Sequence, residues 1–215
     1  MTEQRAGPQP LAVSVAILAG GRGERLGADK ASVLLGGIPL WRHVAARLAP
    51  LQSDDLLLVL QPEQAIPEGS PVRIARDVAP GRGVLAGMAA ALGAARHPWV
   101  LIVGCDMPWA SAILARYMYA RRAGHAAIVP RQLVGLEPLH ALYHRRCLAT
   151  VQAALARGER RVSRVIRLLD VHYVEEEALA RLDPQGRAFV NINTQEELRK
   201  AAAWLNADAA SRAEE

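Results

Sequence analysis

Residues 16–32, AILAGGRGERLGADKAS, set four glycines, Arg22, Arg25 and Lys30 directly behind an apolar run. Glycines that follow a strand let backbone N–H groups approach an anion closely. Arg22, Arg25 and Lys30 carry the charge needed to neutralise a triphosphate. Lys30 stands out from its background, because 24 of the 26 basic residues are arginine and only Lys30 and Lys200 are lysine. A compact ammonium on a flexible stem does a different job from a planar guanidinium fork. The loop is not a Walker-type P-loop, since Lys30 does not follow a glycine. Nor is it a dinucleotide fingerprint. Counting from Gly21, the third glycine would fall at 26, where Leu26 stands. The bland alternative is a tight glycine turn with solvated arginines.

Three more pieces point the same way. Asp106, in Val-Gly-Cys-Asp-Met-Pro, ends an apolar run and so faces the crevice at the carboxyl end of a buried strand. A carboxylate there suits Mg²⁺, which takes few protein ligands and shares phosphate oxygens. The competing role for Asp106 is a cap on the next helix. Asp77 opens a second Pro/Gly loop, residues 77–83, that runs into a helix N-terminus. Such a loop can bind an anion or line a base pocket, and a carboxylate matches the N1–H and N2–H₂ edge of guanine. Asn191 and Asn193, two of three asparagines in the chain, would share one face of a strand at that spacing. There they could reach the metal, the phosphates or a second substrate.

These residues need a scaffold that gathers loops at one edge. Leu11–Leu18, Asp55–Leu60, Trp99–Gly104 and Ala126–Val129 read as buried strands. Helices are expected at Ile38–Leu51, with Pro39 in the first turn, and at Val84–Ala95, Ala110–Arg122, Arg145–Arg157 and Arg161–Leu169. Leu139–Tyr143 is expected as an antiparallel edge strand, with short strands at Val72–Ala75, Val171–Val174 and Ala188–Val190. Thr194-Gln195-Glu196-Glu197 matches a capping box that opens a last helix ending near Leu205. Apolar runs alternating with helices, without hairpin signals between them, argue for βαβ units and a mostly parallel sheet. The expected organisation is a disordered leader over 1–10, one domain over 11–206 and a polar tail over 207–215.

Composition narrows the function. A 51% hydrophobic content fills a core in a chain of 215 residues. The net charge of +5 suits a polyanionic small molecule. Basic blocks do not alternate with aromatics, so a nucleic-acid groove is disfavoured. Cys105 and Cys147 make no disulfide framework. The polar start and the short apolar stretch after it provide no signal peptide or membrane span, and a cytoplasmic protein is expected.

Taken in order, Leu18-Ala19-Gly20-Gly21, Arg25-Leu26-Gly27, Asp29-Lys30-Ala31, Pro80-Gly81, Leu85-Ala86-Gly87, Cys105-Asp106-Met107-Pro108, Pro138-Leu139, Gly158-Glu159-Arg160-Arg161-Val162 and Asn191-Ile192-Asn193-Thr194 resemble the signature of molybdenum cofactor guanylyltransferases. The resemblance runs from about residue 14 to 205. It implies a Rossmann-like three-layer α/β/α nucleotidyltransferase fold. It also implies transfer of GMP from GTP to molybdopterin carrying molybdenum, with release of pyrophosphate. By position it implies backbone contacts to GTP from Leu18, Ala19, Gly20 and Gly21, and phosphate binding by Arg25 and Lys30. Asp77 would hold the nucleotide, Asp106 would bind Mg²⁺, and Asn191 and Asn193 would lie on the pterin side. Molybdenum-insertion proteins and acceptor molybdoenzymes are the implied protein partners. Two departures stand out. The family carries Asn just after the second strand, where this chain has Gln61-Pro62, and its Gly-Pro-Leu-Ala-Gly appears as Gly83-Val84-Leu85-Ala86-Gly87. Rival readings are a cytidylyl or nucleotide-sugar transferase, a non-catalytic nucleotide-binding scaffold and a Rossmann oxidoreductase.

Overall fold

The computed structural model describes residues 9–20, 22–23, 28–67, 72–77 and 83–213. Residues 1–8 of the leader expected over 1–10, together with Gly21 and Arg25, lie outside the described residues. The first strand, β1 (Val13–Leu18), is followed by two short hairpins, β2 (Arg22–Gly23) with β3 (Ala28–Asp29) and β4 (Leu34–Leu35) with β5 (Ile38–Pro39). Then come α1 (Leu40–Leu48), β6 (Asp55–Leu60), β7 (Arg73–Arg76), α2 (Val84–Ala94), β8 (Trp99–Gly104) and α3 (Ala112–Ala120). The remaining elements are β9 (Ala127–Gln132), β10 (Gly135–Leu136), β11 (Ala141–His144), α4 (Leu148–Ala156), α5 (Val162–Ile166), β12 (Val171–Glu175), α6 (Glu176–Leu182) and α7 (Gln195–Ala213).

Among the described residues, an eight-stranded sheet runs β10-β9-β11-β8-β1-β6-β7, with β12 added beside β9. The β7, β6, β1 and β8 strands are mutually parallel. Side chains alternate across this sheet, as the period of two requires. Val13, Val15 and Ile17 join Trp41, Val44, Leu114 and Met118 from α1 and α3 on one face. Ala16, Val100 and Ile102 join Leu85, Met88, Leu92 and Val151 from α2 and α4 on the other. The result is the expected three-layer α/β/α arrangement with a mostly parallel sheet.

From β1 the chain steps outward through β6 to β7, then crosses back to place β8 on the other side of β1. That reversal opens a crevice at the carboxyl ends of β1 and β8, where open α/β sheets take their ligands. The register sets Leu18 opposite Gly104, so the glycine loop and the Asp106 turn leave the sheet side by side.

Several boundaries differ from the sequence reading. Residues 38–39 form β5 rather than helix, because Gly36 (φ 60°) and Gly37 (φ 79°) make a tight hairpin turn. The β11 strand is antiparallel as expected, but it lies inside the sheet between β8 and β9 rather than at its edge. Its residues Ala141, Leu142 and Tyr143 are all buried, which suits an interior strand. Residues 188–190 form a turn closed by Val190 N–H on Arg187 O (3.0 Å), with no strand pairing. The last helix does not stop near Leu205. It continues to Ala213, through an Ala-rich stretch of high helix propensity without a Gly or Pro stop. Most of the expected polar tail is therefore helical. Among the described residues no helix is long and apolar enough to cross a membrane.

At the amino ends of the strands, far from the crevice, Asp55 is fully buried. Burial pushes its carboxyl up. Hydrogen bonds from Ser14 Oγ (2.6 Å), Arg96 N–H (2.8 Å) and Arg73 outweigh that and leave it below the usual value. Asp55→Ala is expected to cost about 3 kcal/mol of unfolding free energy. That is the low end for breaking a buried charged network, because Arg73 is 39% exposed and can rehydrate. A carboxyl held below its unfolded pKa of ~3.9 stabilises fully above that pH and loses its effect as pH falls through the folded value. In urea unfolding, the gap between wild type and variant should be constant above pH 5 and shrink below about pH 4.

Candidate active site

The crevice is a cleft of about 310 Å³. Its floor is made at the strand ends, by Leu18 of β1 and Gly20 beyond it, Leu60 of β6 and Gln61 beyond it, Asp77 after β7, and Gly104 of β8 with Asp106 beyond it. One wall is the start of α2, with Gly83, Val84 and Gly87. Gly83 adopts φ +68° and offers no side-chain cap to the first turn of α2, a helix N-terminus of the kind that suits an anion. A Cβ on Gly87 would lie in ordinary contact with Leu18, 3.4 Å from its Cδ1, so this turn of α2 packs directly over the end of β1.

Lys30 follows β3 in a turn set by its neighbour. Asp29 Oδ1 accepts the Ala31 N–H (3.1 Å), and Asp29 O accepts Ser32 N–H (2.8 Å). This Asx-type turn aims the Lys30 ammonium into the cleft. Its Nζ donates to Asp106 Oδ2 at 2.5 Å and to Asn193 Oδ1 at 2.9 Å. The side chains of Lys30 and Asp106 are 22% and 12% exposed, so both charges are reachable from solvent.

Asp106 is not a helix cap. That role belongs to Ser111, whose Oγ accepts Leu114 N–H at 3.2 Å. Asp106 sits in a turn closed by Met107 N–H on Gly104 O (3.2 Å). A methyl group on Gly104 would collide with Asp106 Oδ1, so only glycine at this position leaves the carboxylate where Lys30 meets it. The sequence reading passed over Gly104, although it sits in the quoted Val-Gly-Cys-Asp run. Cys105, next door, is buried on the opposite side. Burial, reinforced by the Asp106 charge, pushes its thiol far up, so it is no nucleophile.

The Asn-x-Asn segment reaches the site differently from expectation. Residues 191–193 are not a strand, so the two asparagines do not share a face. The segment is pinned by Ile192, which is buried and donates its N–H to Asp106 O (2.9 Å). Asn193 turns in to Lys30, whereas Asn191 Nδ2 donates to Phe189 O (3.1 Å). The expected capping box fixes the far end. Thr194 Oγ1 accepts Glu197 N–H (3.1 Å), and Glu197 Oε2 accepts the N–H groups of Asn193 (2.7 Å) and Thr194 (2.9 Å). Asp77 is buried and its N–H donates to Leu60 O (2.9 Å), which places its carboxylate at the β6–β7 end of the cleft.

A buried histidine that the sequence reading missed braces the opposite side. His140 is a non-glycine residue at φ +61° and is fully buried. Its Nε2 lies 3.3 Å from Ser111 N and 3.2 Å from Ser111 O, while Nδ1 lies 3.3 Å from Ala188 O. Burial lowers the His140 pKa and so favours the neutral ring. His140 thus ties Leu139, which lines the cleft, to the segment that delivers Asn193.

A divalent cation suits the Asp106 position. Such an ion asks for oxygen donors and one or two carboxylates, with phosphates and waters completing its shell. Asp106 already holds a positive group, the Lys30 ammonium, at Oδ2. No group of three or more His, Cys, Asp or Glu gathers among the described residues, so an ion there would be shared with a phosphate ligand.

The family described as MobA-like NTP transferase domain matches residues 15–176. A probable molybdenum cofactor guanylyltransferase of Pelotomaculum thermopropionicum is 36% identical over 185 residues, covering 86% of this chain and 89% of that protein. The molybdenum cofactor guanylyltransferase of Desulfosudis oleivorans is 33% identical over 198 residues, covering 91% and 97%. Among solved structures, the molybdopterin-guanine dinucleotide biosynthesis protein A of Archaeoglobus fulgidus superposes with a TM-score of 0.76 at 26% identity, over 90% of this chain and 99% of that one. The 2-C-methyl-D-erythritol 4-phosphate cytidylyltransferase of Thermus thermophilus shares the fold, with a TM-score of 0.64 at 20% identity over 89% and 97%.

Proposed function

The chain belongs to the family of MobA-like NTP transferases, and from that premise we propose that it is a molybdenum cofactor guanylyltransferase working in the cytoplasm. It transfers GMP from GTP to the terminal phosphate of molybdopterin carrying molybdenum and releases pyrophosphate. The observation that carries this reading is the meeting of Lys30, Asp106 and Asn193 at the topological switch point, beside a cleft that ends at Asp77. Molybdenum-insertion proteins and acceptor molybdoenzymes are the partners this reaction implies.

The reaction is an in-line attack of a phosphate oxygen on the α-phosphorus of GTP. The nucleophile is already an anion, so the protein needs no strong general base. Its task is to align two polyanions and cancel their repulsion. The Lys30 ammonium, released from Asp106, would move onto the phosphates and stabilise charge on the departing pyrophosphate. The N–H groups at Gly20 and at the start of α2 would receive phosphate oxygens. A divalent cation, taken as Mg²⁺, would be held by Asp106 and would supply Lewis-acid polarisation of the phosphoryl group. Arg25 is proposed as a further phosphate contact. Asn193 keeps the acceptor side in register with Lys30, and Asn191 lies beside it. Asp77, with Gln61 in the position where the family has Asn, would read the base. Val84 and Leu139 supply apolar walls.

Base selectivity separates this function from its cytidylyl rivals. Calorimetric titration of GTP, CTP, ATP and UTP in the presence of Mg²⁺ should give at least tenfold tighter binding of GTP. Asp77→Ala should abolish that preference, since an unmet hydrogen-bonding edge costs at least about 1 kcal/mol. Preference for CTP would transfer the protein to cytidylyl chemistry.

A further inference from the structure

Resting on the nucleotidyl-transfer reading above, we infer that Gln64 is a positioning residue: its side-chain amide clamps the loop after β6 to the loop that aims Lys30. Every polar atom of that amide is used. Oε1 accepts the Gln61 N–H at 2.6 Å. Nε2 donates to Ala19 O at 3.1 Å and, by its second N–H, to Asp29 Oδ1. A flipped amide would set an oxygen against two oxygens, so the orientation is unambiguous. Three cleft-forming segments therefore converge on one side chain: Ala19 before Gly20, Gln61 in the floor, and Asp29 before Lys30.

The clamp is itself anchored. Arg76 Nη1 donates to Gln61 O (2.7 Å) and Gln64 O (2.6 Å), and Gln64 N–H closes the turn on Gln61 O (3.2 Å). Gly20 fits under it, since a Cβ there would come 3.3 Å from Gln61 Cγ. Asp29 is shared between Gln64 and Ala31 N–H, so the geometry of the Lys30 turn depends on the Gln64 donor. Gln64 touches no reacting atom and acts through Asp29 and Gln61. The charged groups packed around it are Asp29 from the β3 turn and Arg76 from β7.

Two variants and two measurements test this. Gln64→Leu removes the clamp at every pH. Gln64→Glu sets a carboxylate against Asp29 Oδ1 and Ala19 O, and protonation restores one donor. Steady-state guanylyl transfer is measured from pH 6 to 8, and amide hydrogen exchange is followed in peptides covering 57–66, 28–35 and 99–104. Gln64→Leu should lose at least tenfold in kcat/KM for GTP with a pH profile shaped like that of wild type. Gln64→Glu should lose as much at pH 8 and regain at least threefold, relative to wild type, by pH 6. Exchange should rise in 57–66 and 28–35 of both variants and stay unchanged in 99–104. The inference is overturned if both variants stay within twofold of wild type, or if Gln64→Glu falls without recovery at low pH. A wild-type protein that does not bind GTP would instead overturn the guanylyl-transfer reading. The exchange data then decide the clamp by themselves, and unchanged protection in 57–66 and 28–35 sinks it.

Discussion

Lys30→Met is expected to slow guanylyl transfer by 10²- to 10³-fold, about 3–4 kcal/mol in the barrier, the usual loss when one preorganised contact to developing charge is removed. The effect on folding should be far smaller. The Lys30–Asp106 pair is partly solvent-exposed, and pairs of that kind contribute up to ~1 kcal/mol. For a chain of this size that is a shift of roughly 2–4 °C in melting temperature. The contrast is the test: stopped-flow or coupled pyrophosphate release against a thermal melt on the same preparation. Lys30→Arg keeps the charge but replaces a compact ammonium with a wider planar fork, in a site where the head group must reach both Asp106 and Asn193. It should recover only part of the rate. Turnover within threefold of wild type for Lys30→Met would remove Lys30 from the catalytic machinery.

The second large effect concerns Asp106→Asn, and here the sign of the electrostatics discriminates. Without metal, the Asp106 carboxylate repels a triphosphate, so Asn should bind metal-free GTP at least as tightly as the wild-type protein does. With Mg²⁺, wild type should gain affinity and the variant should not, because the oxygen donor that carries negative charge is gone. Turnover should fall by about 10²–10³. The backbone hydrogen bond from Ile192 N–H to Asp106 O does not involve the side chain, so the segment bearing Asn193 should stay in place. Calorimetry with and without Mg²⁺, beside the rate, reads all three. A variant that still gains affinity from Mg²⁺ would show that the ion is held elsewhere.

What was legible in the sequence is what local chemistry dictates. The strands at 13–18, 55–60 and 99–104 were legible because their apolar stretches, 15–18, 56–60 and 99–103, fit a sheet buried on both faces. The Thr194–Glu197 capping box forms because both partners lie within one helical turn. Lys30 stood out by composition and Asp106 by its place after a buried strand, and the two meet. Even a missed hairpin was visible, since Gly36-Gly37 is a two-residue turn signal that the helix reading of Ile38 and Pro39 overrode.

Only the tertiary structure decided which of these residues touch. Lys30 reaches Asp106 and Asn193 across 76 and 163 residues of chain, through contacts set by sheet order and not by any local period. The same holds for β11, placed inside the sheet by the pairing on both its sides, and for Gln64 and His140, polar residues in loops with no motif to mark them. The need for glycine at 104 became visible only with the Asp106 carboxylate in place, which a Cβ there would displace. Local patterns specify elements because the forces behind them act within a few residues. A site built from the ends of several strands exists only once burial and strand crossover have fixed which ends are neighbours.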